Sequence, residues 1–263
     1  MKILQKKFDK RIELITYVKN LAPWATEKAS DIKGGFNEAK NKLEQIDPIN
    51  YGKTRNYGNG KVTKLSPYIN HGILNLNEVR NYALSKSSQP IQIEKFIQEL
   101  AWRDFWQRVL ISNPDWAWED IEEYKTGFNS SHYKDELPED IAKGKTGVSC
   151  LDFFINELIT TGYIHNHARM YLASYIVHFR GIKWQVGAKW FLNHLLDGNI
   201  ASNNLSWQWV ASTFSQKPYI FNLDNVHKYF SKLVDTSVLN NQLLNASYET
   251  LNILLFPNIK PSI

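Results

Sequence analysis

Residues 161–170, TGYIHNHARM, and 197–209, DGNIASNNLSWQW, belong to a stretch, 158–223, with one carboxylate, Asp197, four Lys/Arg before it and one Lys after it. Four of the seven histidines fall in the same stretch. A segment so short of negative charge that keeps a single acid is organised around one ion pair, and we take Arg169 with Asp197 as that pair. Either charge would be costly to bury alone, so the pair either locks two helices together or faces a polar cofactor. The neighbouring amides of Asn166, Asn203 and Asn204 and the indoles of Trp207 and Trp209 favour the cofactor, because they supply donors and stacking surfaces suited to a flat heteroaromatic ring.

Around this stretch the spacing predicts helices over 149–160, 166–179 and 184–196. The clearest helix is 91–112, with Ile97, Ala101, Phe105 and Val109 on one stripe and Glu99, Trp102 and Trp106 on a neighbouring face bordered by Arg103. A carboxylate beside two indoles is an unusual helix surface and reads as a pocket wall, although a helical tryptophan is more often core. Residues 113–145 read as loop. Between residues 48 and 77 there is no acid, while Lys53, Arg55, Lys61 and Lys64 punctuate a loop carrying Gly52, Gly58 and Gly60. Ser66 suits a helix N-cap and Pro67 the first helical position, so free amides and hydroxyls would sit beside a lysine, an arrangement suited to phosphate. A capped surface helix with solvated lysines is the plainer reading of one Ser-Pro pair. Helices are also expected over 2–19 and 36–46, and one or two in the tail after residue 230, with a loose end at Pro257. No repeat is visible and two-residue alternation is scarce, so the fold class is all-α.

At 263 residues the chain is long enough for a full core. A net charge of +5 leans toward a polyanionic partner. The single cysteine, Cys150, excludes an internal disulfide and a cysteine-based zinc cluster. The run His165-Asn166-His167 places its histidines two residues apart, on different faces of a helix, so no metal is expected. The triplet Ser130-Ser131-His132 offers no oriented nucleophile. No apolar run approaches the roughly 20 residues of a membrane span, and a cytoplasmic protein with no membrane partner is expected.

The blocks GGFNEAKNKL (34–43), YGKTRN (51–56), TKLSPYINHG (63–72), FIQELAWRDF (96–105), GKTG (144–147) with Leu151-Asp152 following, and the two opening runs stand in an order that resembles the helical FAD-binding domain of the DNA photolyase and cryptochrome family. The resemblance covers roughly residues 34–230. It implies an all-α FAD-binding domain over 34–263, preceded by a short helical lead over 1–33 in place of the family's α/β antenna-binding domain. It also implies roles. Tyr51, Thr63, Lys64, Leu65, Ser66 and Arg103 would hold the ribose and phosphates of FAD. Arg169 and Asp197 would lie against the flavin ring, with Asn199 beside it and Asn203 facing N5. Glu99, Trp102, Asn166, Met170 and Trp209 match the cavity for a flipped-out pyrimidine dimer. Family members that repair the (6-4) lesion carry histidines at positions 166 and 170, so a cyclobutane dimer is the expected substrate. Arg55, Lys61 and His167 would face DNA.

Trp207 and Trp184 match the inner and middle members of the family's tryptophan electron chain. No tryptophan stands at the outer position, where Tyr133 or Trp190 is the expected substitute. Asn199 replaces an aspartate and Tyr163 a tryptophan. His167 replaces an arginine, and residues 217–222 lack another, which implies weak, salt-sensitive DNA binding with single strands preferred. The resemblance therefore implies light-driven repair of cyclobutane dimers by reduced FAD. The alternatives are a flavin light or redox sensor signalling to a protein partner, a flavin subunit docked to a separate antenna protein, and a helical nucleic-acid scaffold without flavin.

Overall fold

Apolar residues at three- and four-residue steps, with polar residues placed to cap them, build this chain from helices. A computed structural model describes residues 3–23 and 28–259. Within them thirteen α-helices and no β-strand form, as the all-α reading expects. In chain order they are α1 (Arg11–Leu21), α2 (Phe36–Glu44), α3 (Pro48–Thr54), α4 (Ser66–Asn70), α5 (Leu76–Ser85), α6 (Glu94–Ser112), α7 (Glu139–Ala142), α8 (Ser149–Thr161), α9 (Asn166–Ser174), α10 (Trp184–His194), α11 (Ile200–Ala211), α12 (Leu223–Phe230) and α13 (Tyr248–Leu255).

Two apolar cores hold them. The larger gathers α8 to α12 through Phe154, Tyr171, Trp184, Phe191, Val210 and Phe230. The smaller gathers α2, α4, α5 and the start of α6 through Leu43, Tyr68, Val79 and Phe96. Helix α6 packs against α11 on one side and against α3 and α5 on the other, so it runs along the seam between the cores.

Local chemistry fixes the elements that border this seam. Helix α8 stops at Gly162, whose φ of 72° is left-handed and where a Cβ would lie 2.7 Å from the Leu196 side chain. Only glycine fits both demands. Helix α9 passes into a buried π-turn over Tyr175–Phe179. Asn199 caps α11 by accepting the Ser202 N–H at 3.1 Å. Helices α10 and α11 meet at Gly187, where a Cβ would lie 2.3 Å from the Trp207 ring.

Several sequence expectations need correction. Helix α1 spans Arg11–Leu21 rather than starting near residue 2, and it buries none of its residues. Of the expected lead over 1–33, residues 1–2 and 24–27 lie outside the described residues, as do 260–263 at the far end. The glycine-bearing loop after residue 48 begins as a helix, α3, because Asp47 accepts the Asn50 N–H at 3.0 Å and Pro48 supplies a ready-made first turn. Gly52 therefore sits inside a helix. Ser66 is the first residue of α4 and not its cap, a position taken by Leu65. The Ser66 side chain instead faces Asp197 and helps to lower the pKa of its carboxyl. Helix α6 starts at Glu94 after a short 3-10 turn over Pro90–Gln92, and its expected core stripe is not core. Ala101 and Phe105 are exposed and only Phe96 is buried, because α6 separates a cavity from solvent.

The contact at Gly187 leaves no room for a methyl group between α10 and α11. Gly187→Ala is expected to lower unfolding free energy by about 1–3 kcal/mol through overpacking. Denaturant unfolding checks this, and unchanged stability would mean that the two helices part at little cost.

Candidate functional site

Helices α6, α9 and α11 and the segment 62–66 enclose a cavity of about 550 Å³, a size typical of small-molecule and cofactor sites. The face of α11 that lines it is read from its spacing. Asn199, Ser202, Asn203, Ser206, Trp207 and Val210 recur at steps of three and four and all border the cavity. Asn203 commits both amide hydrogens to the protein, donating to the Ala188 carbonyl at 3.1 Å and to Asn204 Oδ1 at 2.9 Å. What it offers a ligand is therefore its own carbonyl oxygen.

Arg169 from α9 donates to Asp197 Oδ2 at 2.8 Å and, through Nε, to the Ile164 carbonyl at 3.1 Å. Asp197 is only 6% exposed. Burial opposes its charge, yet the charge and hydrogen bond of Arg169, with a smaller contribution from Ser66, prevail and hold the carboxyl below its ordinary range. Tyr163 lies between two cations, with Lys64 5.4 Å and Arg169 5.5 Å from its ring centre. Arg103 reaches in from α6 and donates to Asn70 at 3.1 Å. Tyr51, Thr63, Lys64, Leu65, Ser66 and Asn199 complete the polar lining predicted from sequence.

The other part of the lining holds Glu99, Trp102, Asn166, Met170 and Trp209. Trp102 and Trp209 are 48% and 40% exposed, so they stand at the mouth. Trp102 stacks on Trp106 at 5.4 Å between ring centres. Glu99 is held by Arg55 at 3.3 Å and by Lys95 at 3.0 Å, an ion pair to each side.

Three predicted residues lie elsewhere. Lys61 is exposed and Trp184 is buried behind the wall. His167 is packed against Tyr171 and Tyr229 at 4.6 and 4.8 Å, with Nδ1 on the Asn56 carbonyl. Burial lowers the His167 pKa. Burial, with His167, Arg169 and Lys64 nearby, pushes His165 down to about 4. Neither ring adds positive charge at neutral pH. No group of three potential metal ligands occurs among the described residues.

Trp106 lines the cavity as the face shared with Glu99 and Trp102 suggested, whereas sequence reasoning missed Ser202, Ser206 and Phe191 as lining. The period of α11 was the available signal for the two serines, since they fall one turn either side of the residues already chosen. Two oxygens mark the cavity as a ligand site. Asp197 Oδ1 and Ser202 Oγ are buried without a hydrogen-bond partner among the described residues, although both residues line the cavity. Buried polar atoms normally find partners. A flat ligand with ring N–H and carbonyl groups fits this mixture of orphaned oxygens, amides and indoles.

Residues 96–237 match the family described as the FAD binding domain of DNA photolyase. The chain is 36% identical over 151 residues to a deoxyribodipyrimidine photo-lyase of Streptomyces griseus, covering 57% of the chain and 32% of that protein. It is 34% identical over 173 residues to one of Alkalihalophilus pseudofirmus, covering 65% of the chain and 36% of that protein. The chain thus spans about a third of the length of these relatives. Among solved structures, a class III photolyase of Agrobacterium tumefaciens superposes with a TM-score of 0.65 at 25% identity, covering 80% of this chain and 47% of that one. A Synechocystis cryptochrome superposes with a TM-score of 0.66 at 23% identity, covering 86% and 49%, a likeness of fold.

The Asp197 carboxyl is held below its unfolded value, so its stabilisation is fully present above about pH 3.9 and is lost as pH falls through the folded pKa. Asp197→Asn is expected to cost about 3–5 kcal/mol at neutral pH, because it leaves Arg169 buried beside a neutral group. The cost should shrink progressively on acidification. Denaturant unfolding at neutral and acid pH checks it; an equal cost at both would remove the ion pair from the account.

Proposed function

The chain belongs to the family of FAD-binding domains of DNA photolyase, and from that premise we propose that it holds FAD in this cavity and repairs cyclobutane pyrimidine dimers in DNA when lit, single strands preferred. The observation that carries the reading is the joining of two unlike surfaces in one cavity. Its interior carries an ion pair, amides and orphaned oxygens, and its mouth carries a carboxylate between exposed indoles.

Bound FAD, reduced and excited by blue light, would supply the electron that splits the dimer. The chain's residues do the rest. Arg169, Asp197 and Asn199 hold the flavin edge, and Asn203 presents its carbonyl oxygen to a flavin N–H. Tyr51, Thr63, Lys64, Leu65, Ser66 and Arg103 hold the ribose and phosphates. At the mouth, Trp102 and Trp209 stack on the extruded bases, Asn166 and Met170 shape the pocket, and stacking offsets part of the few kcal/mol that flipping costs. Glu99, paired with Arg55 and Lys95, accepts a hydrogen bond from a pyrimidine N–H and so orients the dimer.

Strand preference follows from the free cations. Arg55 is engaged by Glu99, and His167 is partly buried with its pKa lowered by that burial, so few groups near the mouth are left to hold duplex phosphates. The same shortage of cations favours the second reading, a flavin light or redox sensor acting on a protein partner.

The deciding experiment is blue-light repair of a thymine-dimer oligonucleotide, single-stranded and duplex, by the flavin-loaded chain kept chemically reduced without oxygen. Dimer loss that is faster on the single strand is expected. Full flavin binding with no dimer loss on either substrate would sink the repair reading and leave the sensor. Glu99→Ala should retain flavin and slow repair by about tenfold or more, since a hydrogen bond to a charged group is worth about 1.5–3 kcal/mol. An unchanged rate would exclude Glu99 from dimer recognition.

A further inference from the structure

Two fully buried amides lie outside the cavity lining. Asn204 and Gln208 lie one turn apart on the side of α11 turned away from it, and both are completely buried. Each fastens the same loop. Asn204 donates to the Ala117 carbonyl at 2.5 Å. Gln208 donates to the carbonyls of Trp116 and Glu119 at 2.8 and 3.0 Å and accepts the Ile121 N–H at 3.0 Å. The helix that places Trp207 in the cavity wall thus also fixes the backbone on both sides of Trp118.

Trp118 completes a row of indoles. Trp207 lines the cavity and rests on Gly187 of α10. Trp184, one turn earlier on α10, is 0% exposed and donates its indole N–H to Asp120 at 2.6 Å. Trp118 lies parallel to Trp184, with ring centres 6.5 Å apart and planes within 3°, and is 36% exposed. Gln185 donates to the Trp118 carbonyl at 3.3 Å and to Asp120 at 3.1 Å, which ties both indoles to the start of α10. We infer that Trp118 is the surface terminus through which electrons enter this protein, passing by Trp184 and Trp207 to the cavity.

The chemistry separates Trp118 from its rivals. An oxidised tyrosine must lose its phenolic proton to a base, but the Tyr133 hydroxyl meets only the Thr126 hydroxyl at 2.8 Å, and that of Tyr124 finds no partner among the described residues. Both phenols are buried and held protonated by that burial. Trp190 is buried, so it offers little edge to a reductant in solution, and it packs on Phe191 and His194. An exposed indole can release its proton to water. Lys189, 5.3 Å from the Trp118 ring, disfavours a positive charge there and so drives that release.

The step rests on the reading that the cavity holds FAD. One electron leaves Trp207 for oxidised, light-excited flavin, Trp184 refills Trp207, and Trp118 refills Trp184. The Trp118 radical cation gives its indole N–H proton to water. A thiol in solution then returns a hydrogen atom and becomes a thiyl radical.

The test is illumination of the purified, flavin-loaded protein with a thiol, following loss of the oxidised-flavin absorption band and the tryptophan radical by electron paramagnetic resonance. Trp118→Phe should slow flavin reduction severalfold and remove the long-lived radical, while Tyr133→Phe and Trp190→Phe should change neither. Wild-type rate and radical in Trp118→Phe would overturn the inference. A chain purified without flavin would overturn the cofactor reading, and an external oxidant then decides this one. Photogenerated ruthenium(III) tris-bipyridine, too bulky to reach Trp184, should oxidise that residue in the wild type and spare it in Trp118→Phe, as read by peptide mass mapping. Equal oxidation of Trp184 in both proteins would sink the inference without reference to flavin.

Discussion

The turn at residues 196–198 is where the architecture is tied together, and the Arg169–Asp197 pair is its central bond. Arg169 reaches it from α9. Asn70 and His71, at the end of α4, bind the Gly198 and Leu196 carbonyls at 3.0 and 2.8 Å. The end of α8 joins through the Leu196 N–H on the Gly162 carbonyl at 2.8 Å. Two residues beyond Asp197, Asn199 begins α11. A buried charge is tolerated only when paired and hydrogen-bonded, so each of these elements is held to the position that keeps Asp197 satisfied on one oxygen. The smaller core and the larger core are thereby fixed at the distance that leaves a cavity between them.

Helix α11 divides its labour by face. Its small polar residues and Trp207 look into the cavity, while Asn204 and Gln208 look back and hold the 116–121 loop. Such buried amides add little net stability for the area they occupy, but an unsatisfied one is costly, so they specify a single arrangement of loop and helix. Helix α6 shows the opposite economy. It buries only Phe96, and its aromatic residues instead form one wall and part of the mouth.

The all-α class was legible because the sequence has long helical periods and little two-residue alternation. The Arg169–Asp197 pair was legible because one acid stands alone among bases, and the lining around Glu99 because a carboxylate and two indoles share a helix face. Other features depended on tertiary context. The stripe from Ile97 to Val109 has core periodicity, but α6 borders a cavity on one side and water on the other, so periodicity could not say which face is buried. Arg55 carries no local sign of its partner Glu99, which comes from α6, and although His167 meets Tyr171 one turn along α9, nothing local announces the Tyr229 ring that α12 packs on its other side. The role of Trp118 was hidden because it sits in a stretch with no regular period, and only its stacking on Trp184 sets it apart from the other exposed aromatics.

The two orphaned oxygens, Asp197 Oδ1 and Ser202 Oγ, have a consequence for the life of the chain. A buried acceptor or hydroxyl without a partner costs about 1–3 kcal/mol, a sizeable share of the 5–15 kcal/mol that typically separates a folded domain from its unfolded state. Any ligand that satisfies both oxygens returns that free energy to the folded state and adds its own binding term, which grows with its concentration. Survival against proteases is thereby linked to supply of the small molecule. Where that supply runs short, the chain would be cleared, so its abundance would follow that of its ligand without any dedicated regulator.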